Sequence, residues 1–213
     1  DNEYVEEVVS IGTRGKPRSV SSSPVPVDVL SAEDISKTGT DDLLMQLQGS
    51  IPSLNVHLQP ISDAASMIRP ANLRGLSADS TLITTNGKRR HHASVIAFQG
   101  GGVNDGSQGA DISVIPAIAL KRVEVLRDGA SAQYGSDAIA GVINFVLDDI
   151  SEGGSLSYKM GEYTEGDGAT TTIAGKYGMP LGQDGFVTTS FQIRQADDTS
   201  RSLQRPDAAA LIA

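Results

Sequence analysis

Residues 119–147 constrain this chain more than any other stretch, because ALKRVEVLRDGASAQYGSDAIAGVINFVL sets two strand-like runs on either side of a short turn punctuated by glycine. Val123 and Val125 alternate with Arg122 and Glu124, the period-two signature of a half-buried strand. Val142, Phe145 and Leu147 lie in a second, more fully apolar run. Between the runs the spacing predicts a short helix. Asp128-Gly129 makes the sharp exit from the first strand through glycine's tolerance of positive φ, Ser131 caps the helix, and Gly135 ends it.

Upstream, Val25, Val27 and Val29 alternate in a strand that starts at Pro24 and runs into Ser31-Ala-Glu-Asp34, a helix start resembling a capping box. A second helix follows, with Thr40 as its cap, Asp41 and Asp42 at the positive end of its dipole, Leu43, Leu44 and Leu47 as its buried stripe, and Gly49 at its end. Strands are expected near 54–56, 68–73 and 82–85, and Asn86-Gly87 between alternating runs signals a type I′ hairpin. Residues 91–113 form a long loop carrying Gly100, Gly101, Gly102, Gly106 and Gly109, a length associated with function or mobility. Residues 1–23 read as a flexible polar arm with one β-prone segment at Val8-Val9, so the arm is expected to be exposed.

The pattern changes after about residue 150. Leu156, Tyr158 and Met160 share one face and Ser155, Ser157 and Lys159 the other. Ile173 and Tyr177 likewise oppose Thr170, Thr172 and Lys176, and Val187, Phe191 and Ile193 oppose Thr188, Ser190, Gln192 and Arg194. This is the apolar-out, polar-in alternation of membrane barrel strands, and a soluble three-stranded meander with one solvated face satisfies it as well. Three strands cannot close a barrel, and spanning strands cannot leave edges unpaired in lipid, so on the barrel reading the chain is a fragment.

Composition removes several function classes. The 17 basic and 26 acidic residues leave a net charge of −9, with no excess of cations for a nucleic-acid backbone. No run approaches the ~18 consecutive apolar residues of a membrane helix. There is no cysteine, hence no disulfide, thiolate metal site or cysteine nucleophile. His91 and His92 are adjacent, and neighbouring side chains on a strand point to opposite faces, which argues against a shared metal ion. Asp105, Ser107, Gly109 and Asp111 have the spacing of calcium ligands but lack the acidic residue that closes such a loop. The glycine run lacks the Lys-Ser/Thr of a phosphate cradle, and nothing assembles into a catalytic pattern, so neither a cofactor nor an enzyme is expected.

The stretch 119–147 resembles the RIEVLRGPxSxxYGxxAxGGxINxxT signature of the TonB-dependent outer-membrane receptor plug, with Asp128 before Gly129 in place of Gly-Pro and Ala140-Gly141 in place of Gly-Gly. Three further elements occur in the family's order. EEVVSIGTR at 6–14 resembles the TonB box and its linker, NLRGL at 72–76 the IRG element, and STLITTNGKRR at 80–90 the TLVLVNGRR hairpin.

The resemblance implies an α+β plug, a small mixed β-sheet with short helices, followed by the first antiparallel strands of a transmembrane β-barrel of about 22 strands, most of it beyond Ala213. The expected organisation is an arm with the TonB box at 1–23, the plug at 24–150 and opening barrel strands at 151–213. The implied function is active uptake of a scarce nutrient such as a siderophore, corrinoid, carbohydrate or peptide, in the outer membrane, with plug and arm facing the periplasm. The implied partners are the C-terminal domain of TonB, the chain's own barrel and an extracellular small molecule. Glu6, Glu7, Val8, Val9, Ser10 and Ile11 would bind TonB by strand addition. Arg74, Glu124 and Arg127 would make plug–barrel contacts, although local pairing of the arginines with Glu124, Asp128 or Asp137 is an equal reading. Ser77, Asp79, His91, His92, Phe98 and Gln99 would sit on the plug apices that meet substrate. A stand-alone soluble protein-interaction module is the alternative from a different class.

Overall fold

The computed structural model describes residues 8–9, 11, 18–19, 26–40, 42–58, 66–98, 102–199, 201 and 203. Strand β1 (Val8–Val9) pairs antiparallel with β2 (Arg18–Ser19). Then come β3 (Val27–Ser31), helices α1 (Ala32–Ser36) and α2 (Leu43–Ser50), and a small antiparallel pair, β4 (Leu54–Val56) with β5 (Ala71–Leu73). Strands β6 (Thr81–Thr85), β7 (Lys88–Arg89) and β8 (Leu120–Leu126) precede helix α3 (Ser131–Tyr134) and strand β9 (Gly141–Leu147). The central sheet has the order β3-β8-β9-β6-β7. It is mixed because β6 and β9 run parallel, and residues 86–140 supply the long return that a parallel pair requires.

Both faces of this sheet are covered. On one face Ile83, Val123, Val125, Ile143 and Phe145 pack against Ile35, Leu43, Leu44 and Leu47 of the helices. On the other, Leu82, Leu126 and Val142 cluster with Val9, Ile11, Ala130 and Ala138. Strand β8 is therefore buried on both sides, where its alternation predicts a half-buried strand.

The local signals resolve unevenly. Asn86 and Gly87 have φ of 48° and 73°, the left-handed pair of a type I′ turn. Ser31 caps α1 and its hydroxyl accepts from the Asp34 amide at 3.1 Å. At α2 the cap is Asp42, accepting from the Met45 amide, and Thr40 instead accepts from the Asp42 amide. Gly49 lies inside α2, which continues to Ser50. Around α3, Gly129 is not among the positive-φ residues, and Ser131 is the first helical residue with no side-chain cap bond ahead of it. The exit from β8 is held by the Asp128 carboxylate, which accepts from the Gly129 amide at 2.7 Å. Gly135, at φ 99°, ends the helix as the sequence indicates.

The Ser31 hydroxyl, ahead of the Lys37 ammonium, holds the Asp34 carboxyl below its ordinary value. Its contribution is therefore present above the unfolded-state pKa and lost as pH falls through the depressed folded one. Ser31→Ala is expected to move the Asp34 midpoint up toward the ordinary carboxylate value in an NMR pH titration; an unmoved midpoint would show that Lys37 alone sets it.

Strands β10 (Gly153–Gly161), β11 (Thr170–Leu181) and β12 (Gly185–Ala196) form an antiparallel meander. Their small and polar row faces the plug, where Thr172 and Ala174 are buried. Their apolar row faces outward, with Leu156 74% exposed and Tyr158, Met160, Phe191 and Ile193 beside it. A soluble meander would present the opposite face, so these are the opening strands of a membrane barrel wall. β11 and β12 have 12 residues each, sufficient for a tilted strand to cross a bilayer.

Candidate functional site

Two loops of the plug are bound into one unit. Ser77 opens the 3₁₀ turn Ala78–Ser80, its hydroxyl accepting from the Asp79 amide. The Asp79 carboxylate accepts from the Gln108 amide at 2.8 Å. Asn104, fully buried, accepts from the Ala78 amide at 2.9 Å through its side-chain carbonyl, and Ser107 donates to the Asn104 backbone at 2.7 Å. A Cβ on Gly109 would come within 3.0 Å of Ala78 Cβ, so glycine there permits the close approach of the loops.

The long loop is an irregular hairpin. His92 bridges to Ala110, its Nδ1–H donates to the Gln108 carbonyl, and the Ala97 amide donates to Ser107 O at 2.8 Å. Beyond these rungs lies the tip, with Phe98 79% exposed and Ile96 and Val103 also exposed. The structure thus brings together Ser77, Asp79, His92 and the loop that carries His91 and Phe98; Gln99 lies outside the described residues. Asn104 and Gln108, which do most of the joining, carry no sequence signal because their partners are more than ten residues away.

At the amino terminus, Val9 is 1% and Ile11 3% exposed, against Leu82, Leu126, Ala130, Ala138 and Val142. This corrects the expectation of a free arm at these two positions, and the reason is apolar: their side chains cover the second face of the sheet. Val8 lies in β1, and Glu6, Glu7 and Ser10 lie outside the described residues.

The three residues expected at the barrel divide. Arg127 pairs with Asp28, Nη2 donating at 3.0 Å, and Arg74 points to the Ala140 carbonyl at 3.5 Å with Asp128 at 4.0 Å. Arg74 is also in the left-handed region, φ 57°, which costs a non-glycine residue backbone energy. Glu124, at 0% exposure, is inside the sheet, so the expectation that it meets the wall is corrected. It accepts from Arg122 Nε at 2.9 Å and Asn144 Nδ2 at 3.0 Å. Plug and wall instead meet through Lys176 with Asp148 and through Thr188 Oγ1 donating to Ile150 O at 2.9 Å. A cavity of about 290 Å³ lies between α1–α2 and the wall, lined by Gln46, Ser155, Ser157, Lys159 and Gln192 among others.

Comparison with known proteins agrees with this architecture. The profile of the TonB-dependent receptor plug domain matches residues 19–142. The ferric enterobactin receptor of Pseudomonas aeruginosa is 32% identical over 120 residues, 56% of this chain and 16% of that protein. The ferric enterobactin receptor PirA of the same organism is 29% identical over 148 residues, 68% of this chain and 20% of that protein. Among solved structures, a mutant of the P. aeruginosa ferric enterobactin receptor PfeA in complex with enterobactin superposes with a TM-score of 0.63 at 27% identity, covering 81% of this chain and 25% of that one. The siderophore receptor PirA from Acinetobacter baumannii, at 24% identity and a TM-score of 0.62, shares the fold, with 81% of this chain and 25% of that one covered. The chain spans about a fifth of the length of the curated relatives it matches.

Proposed function

This chain belongs to the TonB-dependent receptor plug domain family, and on that premise we propose that it is the plug and opening wall of an outer-membrane receptor that actively imports a ferric siderophore. The observation that carries the reading is the plug profile over residues 19–142 joined to wall strands whose apolar face points outward. Relatives named as ferric enterobactin receptors support the substrate class.

In this reading no bond is made or broken, and the plug does mechanical work. The apical unit of Ser77, Asp79, His91, His92 and Phe98 meets the chelate from outside, with Gln99 next to it in sequence. Residues 6–11 are taken by the C-terminal domain of TonB as an added strand on the periplasmic side. Arg74 and Arg127 reach carboxylates of the wall beyond residue 213 when their partners inside the plug let go. Burial of Val9 and Ile11 gives the coupling a physical form, since TonB must draw both side chains off the sheet that also carries the apical loops. Withdrawing these two side chains costs roughly 3–6 kcal/mol at ~1.5–3 kcal/mol per apolar side chain.

The test is uptake of a radiolabelled ferric siderophore by cells carrying the full receptor. Val9→Pro removes a ladder donor from the added strand and is expected to cut uptake at least about tenfold while surface binding persists. Uptake at the parental rate would refute TonB capture at this segment.

A further inference from the structure

The backbone that residues 8–9 would offer for strand addition is already paired within the chain. Val8 lies opposite Ser19 and Val9 opposite Arg18, antiparallel, in a two-stranded sheet separate from the central one. In an antiparallel ladder the bonds fall on alternate residue pairs, so one of these two pairs exchanges both its amides and its carbonyls. The sequence keeps this ladder short, because Pro17 precedes Arg18 and has no amide to donate. The side chains on either side of Ser10 are engaged as well, with Val9 and Ile11 buried against Leu82, Leu126 and Val142.

Resting on the reading of residues 6–11 as the segment that TonB captures, we propose that β2 is a built-in competitor for that capture, an autoinhibitory strand that occupies the segment until it is displaced. A partner that adds a strand draws its affinity from the main-chain donors and acceptors of the segment and its register from alternate side chains. β2 holds the first set and the face of the central sheet holds the second, so TonB engages the segment fully only after both are released. Displacement is an exchange of ladders, since the backbone groups that leave Arg18–Ser19 find equivalent partners on the added strand. A competitor of two residues suits a switch, because a long ladder would hold the segment against any partner. The apparent dissociation constant for capture is the intrinsic one divided by the fraction of molecules in which the segment is released, so with about one molecule in ten released, capture is about tenfold weaker than by a bare segment.

The experiment is calorimetric titration of the purified full receptor, without cargo, with the C-terminal domain of TonB, together with hydrogen exchange at residues 8 and 9. The variant carries Arg18→Pro and Ser19→Pro together, which removes the β2 donor whichever pair is the bonded one and leaves residues 6–11 untouched. It is expected to bind TonB about five- to tenfold more tightly than the parent, and the exchange protection of the ladder amide at 8 or 9, present in the parent, is expected to be lost. Protection of the β9 amides, unchanged in the variant, shows that the central sheet is intact. Equal or weaker binding by a variant with that sheet intact would overturn the autoinhibition and leave capture standing. Amides at both 8 and 9 that exchange in the parent as fast as an unfolded chain would overturn it without recourse to any variant. Binding of TonB by neither protein would overturn capture at this segment, and this inference with it.

Discussion

Replacing Gly141 by alanine is expected to destabilise the plug sheet by at least about 3 kcal/mol, because two independent penalties fall on one residue. Gly141 opens β9 at φ 150°, a backbone conformation that L side chains rarely adopt. A Cβ there would also overlap the carbonyl oxygen of Leu126 and lie 2.9 Å from Leu73 Cδ2. Leu126 is the last residue of β8 and pairs with Val142, so relief would require pulling apart the two central strands. Hydrogen exchange reads the effect directly: protection of the β9 amides is expected to fall about a hundredfold or more relative to the parent chain. The neighbouring Ala140, fully buried with its amide donating to Ser80 O at 2.8 Å, stands where the family signature has its first glycine. Ala140→Gly is therefore expected to be far milder. Equal protection in the parent and in Gly141→Ala would sink the steric account.

The features legible in the sequence were those whose cause is local. Asn86-Gly87 forms its turn because both residues accept positive φ, Ser31 caps α1 through a bond to a residue three positions on, and the alternation of β10–β12 follows from the pleat of each strand alone. Even here neighbours compete. Asp42 takes the α2 cap from Thr40 and Gly49 fails to end the helix, because a side chain one or two positions away can satisfy the same orphan amides.

What the sequence conceals is pairing over distance. Nothing local predicts that β6 and β9 lie parallel or that β3 lies beside β8, since ladder partners are chosen by shape and burial across the whole domain. The alternation around Val123 and Val125 puts Arg122 and Glu124 toward solvent, but the second face of the sheet is covered by Val9 and Ile11, more than a hundred positions upstream. The candidate site divides the same way. Ser77, Asp79, His91, His92 and Phe98 are visible as polar or aromatic residues in loops, whereas Asn104 and Gln108 look like ordinary loop residues until their partners are known.

Glu124→Ala is expected to cost about 3 kcal/mol or more, through the polar row that crosses the interior of the sheet. The registers Glu124↔Asn144 and Thr84↔Asn144 set these three side chains in line across β8, β9 and β6. Asn144 donates to Glu124 Oε2 at 3.0 Å, while its carbonyl accepts from Thr84 Oγ1 at 2.8 Å and from the Gly87 amide at 2.9 Å. Arg122 closes the row with Nη2 at 2.8 Å from Glu124 Oε1. Removing the carboxylate strips the partly exposed Arg122 of its paired charge and takes from Asn144 the acceptor of its 3.0 Å bond, and water has poor access to replace that acceptor at the fully buried Asn144. Glu124→Gln keeps the shape and one acceptor, so its cost should be smaller, about 1–2 kcal/mol. Equilibrium urea unfolding separates the outcomes: alanine well below glutamine in stability supports a buried, charge-assisted network. A loss within about 0.5 kcal/mol of zero for alanine would mean that packing by Val123, Val125, Ile143 and Phe145 carries the sheet without it.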